Sequence, residues 1–239
     1  MAHSSRTETG IFADLDEENG RAAAKEIAAA NQNRAIFQRV DVTDRTSVSA
    51  AIDSCTRQFG SIKVMVNNAG FNKPEPFLEA SDATWHKVMD VNALGVLIGI
   101  QEAAKAMIAA GTKGKIINTA SIAGRTGYAD FAPYCASKFA VVALTHAGAR
   151  ALAGKGITVN AFAPGVVATP LWAQLDKDLM AMGASTAPGE AMENFSRSIL
   201  LGRVAQPGDV VGTVRFLASP ASDYMTGQVL MIDGGMILQ

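Results

Sequence analysis

The chain of 239 residues has 49% hydrophobic residues and a formal net charge of −1, a near-neutral balance that argues against nucleic-acid or membrane partners. Its length fits one α/β domain with a full core, and we see no apolar run near the roughly 18 residues of a membrane span. Residues 1–10 lack the apolar core of a signal peptide, so the expected localisation is cytoplasmic.

Short apolar runs alternate with longer amphipathic stretches, which predicts a doubly wound parallel sheet covered by helices in one domain over residues 1–239. Predicted strands are Ile11–Asp14, Ala35–Val40, Lys63–Asn67, Lys115–Thr119, Thr158–Phe162 and Val229–Ile232. Predicted helices are Glu17–Ala30, Arg45–Phe59, Ala83–Ala110, Tyr134–Ala153 and Pro207–Ala218. Ligands should bind at the carboxyl ends of the strands. The two cysteines and three histidines lack zinc-ligand spacing, so we predict no metal site.

The first predicted strand ends in acidic residues. In a dinucleotide-binding fold, a carboxylate at Asp14 accepts hydrogen bonds from the adenosine ribose hydroxyls and repels a 2′-phosphate, which favours NAD over NADP. Alternatively, Asp14 and Asp16 only begin the next helix, with Asp16 as its N-cap. Both interpretations can hold, because the two residues can divide the roles.

The stretch from Lys115 to Leu152 contains a possible proton-transfer site. Tyr134 and Lys138 are four residues apart in a predicted helix and therefore lie on one face. The ammonium group should lower the pKa of the phenol from about 10, so that Tyr134 exchanges a proton near neutral pH. Ser121 could hydrogen-bond the oxygen that gains charge when a carbonyl is reduced. Taken alone, these residues are equally compatible with a surface tyrosine, a solvated lysine and a turn serine.

Three further motifs occur along the chain. They are Asn67-Asn68-Ala69-Gly70, Asn92 and Pro164-Gly165-Val166-Val167-Ala168-Thr169. Together with the serine, tyrosine and lysine, they resemble the short-chain dehydrogenase/reductase family over roughly Ile11 to Gly235. The resemblance implies a Rossmann-like fold, NAD as cofactor, an alcohol or ketone substrate and a homotetramer.

The resemblance also implies residue roles. Ser121 and Tyr134 would hold the substrate oxygen, with Lys138 and Asn92 completing a proton relay; for Asn92, a structural amide is the alternative. Trp172 would line the substrate pocket beneath a lid formed by residues 171–198. The residues implied in cofactor binding are Asp14, Leu15, Asp41, Val42, Asn68, Ala69, Gly70, Tyr134, Lys138, Pro164, Gly165, Val167 and Thr169. Asp41 and Val42 would contact the adenine, although Asp41 could instead support its own turn.

Within the family, several segments are most similar to acetoin reductases (meso-2,3-butanediol dehydrogenases), followed by polyol dehydrogenases such as sorbitol dehydrogenase. Ile122 departs from that pattern, because a polar residue after Ser121 could have held a second substrate hydroxyl. A 3-oxoacyl-carrier-protein reductase is a further alternative, against which Asp14 and the near-neutral charge argue.

One family motif is missing. The family normally begins with a strand and a Thr-Gly-x3-Gly-x-Gly turn that receives the cofactor diphosphate, whereas Thr9-Gly10 leads directly into what corresponds to the second strand. We therefore expect an unpaired gap in the middle of the sheet. Three explanations of the missing motif remain open: a mis-assigned start or an excised segment, residues omitted as disordered, or a shortened protein. The alternative function is a non-catalytic remnant that cannot bind dinucleotide.

Overall fold

The structure is a computed structural model that describes residues 9–31 and 35–238. The strands in these ranges are β1 (Gly10–Asp14), β2 (Ala35–Arg39), β3 (Val64–Asn67), β4 (Gly114–Thr119), β5 (Ile157–Pro164) and β6 (Val229–Ile232). The α-helices are α1 (Glu17–Asn31), α2 (Arg45–Phe59), α3 (Asp82–Met89), α4 (Gly95–Ala109), α5 (Ala132–Leu152), α6 (Pro170–Ala181), α7 (Glu190–Ser196) and α8 (Pro207–Ala218). All recorded strand pairs are parallel, which confirms the predicted α/β class.

The predicted elements are found with ends shifted by at most two residues, with one exception. The helix predicted over Ala83–Ala110 is α3 and α4, joined by a π-helical turn at Asp90–Leu94. An apolar pattern does not reveal such a turn, because one extra residue only rotates the following face. The predicted lid contains α6 and α7, for which the sequence had suggested no helices.

The strands form two separate sheets. One contains β1 and β2, and the other has the order β3-β4-β5-β6. β1 and β3 line the same cavity, and Val64 and Val66 on β3 are 37% and 40% exposed, although parallel strands inside a sheet are normally buried on both faces. The gap expected in the middle of the sheet is therefore present.

The main core lies around β4 and β5 and the helices α4 and α5. Ile116, Val159 and Val141 are fully buried there, and Met107 of α4 is buried with them. The apolar runs of the two central strands explain this packing, because helices cover a parallel sheet on its faces. The loops that follow β3, β4 and β5 consequently meet at the carboxyl edge of this sheet.

The helical segment from Asp82 to Ala109 is long and apolar enough to cross a membrane by length and composition, which the sequence had not suggested. Its most apolar window is 56% buried inside the protein. Val88 and Met107 are fully buried, so packing in the core accounts for the apolar composition.

Candidate active site

Ser121, Tyr134 and Lys138 meet at the carboxyl end of β4. The Ser121 side chain lies close enough to the Tyr134 hydroxyl to lower the pKa of the phenol, and all three residues line one connected cavity of about 2900 Å³. Lys138 Nζ lies 5.6 Å from the centroid of the Tyr134 ring and donates a 2.7 Å hydrogen bond to the Thr119 carbonyl oxygen. The structure thus brings together the two hydroxyls and the ammonium group that the sequence singled out.

Burial dominates the electrostatics of this site. Removal of the phenol from solvent raises the pKa of Tyr134 above its ordinary value, and the Ser121 side chain offsets only part of that rise. Burial likewise lowers the pKa of Lys138 to about 8. The expected net lowering of the Tyr134 pKa is therefore wrong, because desolvation by burial is the largest effect on this phenol.

Gly124 holds the Ser121 loop against α5. Ser121 caps a short 3₁₀ turn, Ile122–Gly124, by accepting a 3.1 Å hydrogen bond from Ala123 N. A Cβ atom on Gly124 would lie 2.8 Å from the Lys138 carbonyl oxygen, closer than side chains tolerate. Only glycine lets this loop approach the helix so closely, and the sequence analysis missed its importance.

Asn92 is fully buried in the π-helical turn. Its amide accepts from Phe71 N, donates to Phe71 O and donates to Ser137 Oγ, at 2.8, 2.8 and 3.0 Å. Ser137 Oγ in turn donates a 2.7 Å bond to the Tyr134 carbonyl oxygen. These contacts match the structural alternative for Asn92, and they identify Ser137 as a positioning residue that the sequence did not indicate.

A hydrogen-bond network of buried polar side chains joins β3 to α5 beneath the site. Asn67 Nδ2 donates to Asn118 Oδ1 at 2.8 Å, and Asn118 Nδ2 donates to Thr145 Oγ1 at 3.0 Å. Asn118 and Thr145 are fully buried, so this network fixes the relative positions of the strands and the helix. Above it, Thr119 Oγ1 donates to Asn68 Oδ1 at 3.0 Å.

The acidic residues after β1 and β2 take part in local turns. Asp16 accepts a hydrogen bond from Asn19 N and so caps α1, while Asp14 Oδ1 accepts from Asp16 N, each at 3.0 Å. Asp41 Oδ1 accepts from both the backbone and the hydroxyl of Thr43, and these bonds lower the pKa of the Asp41 carboxyl. Asp14 and Asp41 each keep an Oδ2 that makes no hydrogen bond to the described residues.

The cavity collects nearly all of the predicted site residues. It is lined by Asp14, Leu15, Asp41, Val42, Asn68, Ala69, Gly70, Ser121, Tyr134, Lys138, Pro164, Gly165, Val167, Thr169 and Trp172. Asn92 lies behind the lining. Backbone hydrogen bonds to Ala205 hold the loop after β5. Ala168 N donates to the Ala205 carbonyl oxygen, and Ala205 N donates to the Val166 carbonyl oxygen, each at 2.9 Å.

An apolar aromatic cluster forms one wall beside the catalytic residues. Phe195 of α7 makes edge-to-face contacts with Tyr128, Phe131 and Trp172, at centroid distances of 5.9, 6.1 and 5.6 Å. The rings come from the loop before α5, from α6 and from α7. Their contacts hold the segment 171–198 against the loop that precedes Tyr134.

Both ends of this cavity fit a dinucleotide, but its middle does not. Lys138 is 4% exposed and uses one of its three N–H donors on Thr119, so ribose hydroxyls could accept the others. The free Oδ2 atoms of Asp14 and Asp41 suit the adenosine end. Between β1 and β3, however, the described residues provide no glycine-rich turn to hold a diphosphate.

Comparison with known proteins agrees with this geometry. A family model described as "Enoyl-(Acyl carrier protein) reductase" matches residues 9–237. The L-2,3-butanediol dehydrogenase of Corynebacterium glutamicum is 44% identical over 227 residues, covering 94% of this chain and 87% of that protein. A diacetyl reductase [(S)-acetoin forming] of Staphylococcus epidermidis is 41% identical over 204 residues, covering 85% and 79%.

A solved structure shows the same architecture. Sorbitol-6-phosphate 2-dehydrogenase from Erwinia amylovora superposes with a TM-score of 0.88 at 31% identity, covering 96% of this chain and 90% of that one. The fold is thus Rossmann-like, as the sequence predicted. With the family match over most of the length, and with Ser121 and Tyr134 beside a buried lysine, the chain belongs to the short-chain dehydrogenase/reductase family of alcohol and ketone oxidoreductases.

Proposed function

We propose that this protein is an NAD(H)-dependent oxidoreductase that interconverts a secondary alcohol or diol and the corresponding ketone, with substrates of the acetoin type. The observation that carries the proposal is the meeting of the Ser121 and Tyr134 side chains in a cavity that also contains Lys138. Two neighbouring hydroxyls can share one substrate oxygen, as a carbonyl reduction requires.

The side chains have distinct tasks in carbonyl reduction. A nicotinamide held beside Tyr134 and Lys138 would supply a hydride for the carbonyl carbon. Tyr134 donates its proton to the carbonyl oxygen, and Ser121 stabilises the negative charge that develops there. Because burial raises the pKa of Tyr134, the phenol keeps its proton at neutral pH and is ready to donate it. Lys138 then favours the phenolate that remains after transfer.

Two observations support a small, mostly apolar substrate. The relatives are named as a butanediol dehydrogenase and a diacetyl reductase, enzymes of four-carbon compounds. In this chain, the aromatic rings of Tyr128, Trp172 and Phe195 lie on the cavity wall. Such rings pack well against short alkyl groups.

Asp14 supports the use of NAD. Its side chain lies at the carboxyl end of β1, lines the cavity and retains one oxygen for the ribose hydroxyls. A carboxylate there would repel the additional phosphate of NADP.

A second candidate function is a non-catalytic protein with the same fold. The gap between β1 and β3 favours it, because no described residue cradles a diphosphate there. Titration of the purified protein with NADH separates the two. Saturable binding with enhanced nicotinamide fluorescence, followed by NADH oxidation on adding acetoin, supports the enzyme. No binding at millimolar NADH supports the non-catalytic protein.

We also propose that the protein works as a homo-oligomer, a tetramer by family resemblance. The outer faces of α4 and α5 form a shallow apolar groove of about 390 Å³ that includes Leu94, Leu97 and Leu144. Phe139, on α5, is 47% exposed. Light scattering after size-exclusion chromatography tests this proposal, since a monomeric mass contradicts it.

A further inference from the structure

Asn72 is a buried amide whose carbonyl oxygen has no partner. The residue is 8% exposed, and its Oδ1 makes no hydrogen bond. Native proteins keep few such atoms, so each one needs an explanation. Of the other buried oxygens without a partner in the described ranges, Thr158 Oγ1 also lines the cavity, but Thr158 lies at the amino end of β5, opposite the catalytic edge.

Contacts on both sides place Asn72 beside the catalytic residues. Before it, a Cβ on Gly70 would lie 4.0 Å from Lys138 Nζ, and the backbone of Phe71 is hydrogen-bonded twice to Asn92. After it, Glu75 N donates a 3.0 Å bond to the Asp130 carbonyl oxygen, just before α5. The segment 70–75 therefore crosses the catalytic end of the cavity, and Asn72 lines that cavity.

The residue next to Ser121 cannot bind a second substrate oxygen. Ile122 lines the same cavity with an apolar side chain and is 6% exposed. A vicinal substrate carries two oxygens on adjacent carbons, and Ser121 and Tyr134 account for only one. The second oxygen needs a polar group from another element of the site.

We propose that Asn72 binds the second oxygen of a vicinal hydroxyketone or diol while the reacting oxygen lies between Ser121 and Tyr134. This inference rests on the proposed function and deepens it by assigning a residue to the substrate's second oxygen. The atom without a partner is an acceptor, so it selects a hydroxyl, which can donate. A substrate without that hydroxyl would leave the buried acceptor unpaired. The cost of the unpaired acceptor weakens binding of that substrate.

The test compares two four-carbon ketones that differ by one hydroxyl, acetoin and 2-butanone, in NADH-dependent reduction. Asn72→Ala should lower kcat/KM for acetoin by about tenfold or more and change that for 2-butanone by less than about threefold. Thr158→Val is the matched control, because Thr158 Oγ1 is likewise a buried oxygen without a partner in the described ranges, but it lies at the amino end of β5, away from the catalytic edge. It should change neither value.

The outcomes distinguish this inference from the proposed function. Equal losses for both ketones in Asn72→Ala, or no loss for either, overturn the role of Asn72 while leaving the enzyme assignment intact. If the wild-type protein reduces neither ketone, the proposed function fails, and saturation-transfer NMR with acetoin alone then decides. A wild-type acetoin signal that disappears in Asn72→Ala supports the inference, whereas equal signals, or none from either protein, contradict it.

Discussion

The two sheets hold their functional side chains in different ways. In the helices that pack on the four-stranded sheet, Lys138 and Asn92 are 4% and 0% exposed and are fixed by hydrogen bonds to Thr119 O and Ser137 Oγ. On the two-stranded sheet, the Asp14 side chain bonds only Asp16 N among the described residues, and Leu15, just after β1, is 50% exposed. One region is preorganised for proton transfer, while the other is an exposed surface against which the adenosine would lie.

The catalytic arrangement is therefore held by the four-stranded sheet and its helices, whereas the two-stranded sheet offers only the surface for the adenosine end of the cofactor. The positions of Ser121, Tyr134 and Lys138 are fixed by β4, by α5 and by the hydrogen-bonded buried side chains that join them. None of these includes β1 or β2. Changes on the four-stranded sheet should therefore act on turnover and stability. Changes on the two-stranded sheet should act on cofactor binding.

The largest expected effect comes from removing the proton donor. Tyr134→Phe deletes only the hydroxyl, so NADH-dependent reduction of acetoin should slow by about a thousandfold, within the usual range for a general acid. The Kd for NADH should stay within about threefold, because the ring remains. Stopped-flow turnover and fluorescence titration measure the two quantities, and near-normal turnover would rule out the acid/base role.

A glycine variant tests whether the Ser121 loop needs its close approach to α5. Gly124→Val would place carbon atoms against the Lys138 carbonyl oxygen, so the loop must move and turnover should fall by about a hundredfold. Gly127→Val is the control, since a Cβ there meets nothing within 4 Å. Equal turnover in the two variants would show that the position of Ser121 does not depend on this contact.

The buried lysine makes stability depend on pH. Burial lowers the pKa of Lys138 to about 8 from 10.5, so between these values the unfolded chain binds more protons and stability rises with pH. Between about pH 7.5 and pH 10.5, the free energy of unfolding of the wild-type protein should increase by about 2 to 3 kcal/mol relative to that of Lys138→Met. Urea unfolding at both pH values measures this, and parallel pH profiles would contradict it.

The sequence predicted most of the fold and the side chains that meet at the candidate site, because apolar periodicity and local spacing survive folding. It could not predict the π-helical turn at Asp90–Leu94 or the contact of Gly124 with α5, since both depend on residues distant in the chain. It also gave the wrong direction for the pKa of Tyr134, because desolvation depends on the packing around the ring. The single-domain assignment, NAD preference and tetramer remain predictions.

The smallest expected effect lies on the two-stranded sheet. Asp14→Ser removes the charge that would repel a 2′-phosphate and keeps a hydroxyl for the ribose, so the ratio of kcat/KM for NADPH to that for NADH should rise by about tenfold. The change should appear mainly in KM, because Asp14 lies on the two-stranded sheet, whereas Tyr134 lies on α5. Asp16→Ser is the control, since Asp16 caps α1 and its variant should leave the ratio unchanged. A ratio unchanged in Asp14→Ser as well would mean that Asp14 supports its turn alone, and a fall in kcat equal to the rise in KM would show that the two sheets are coupled during turnover.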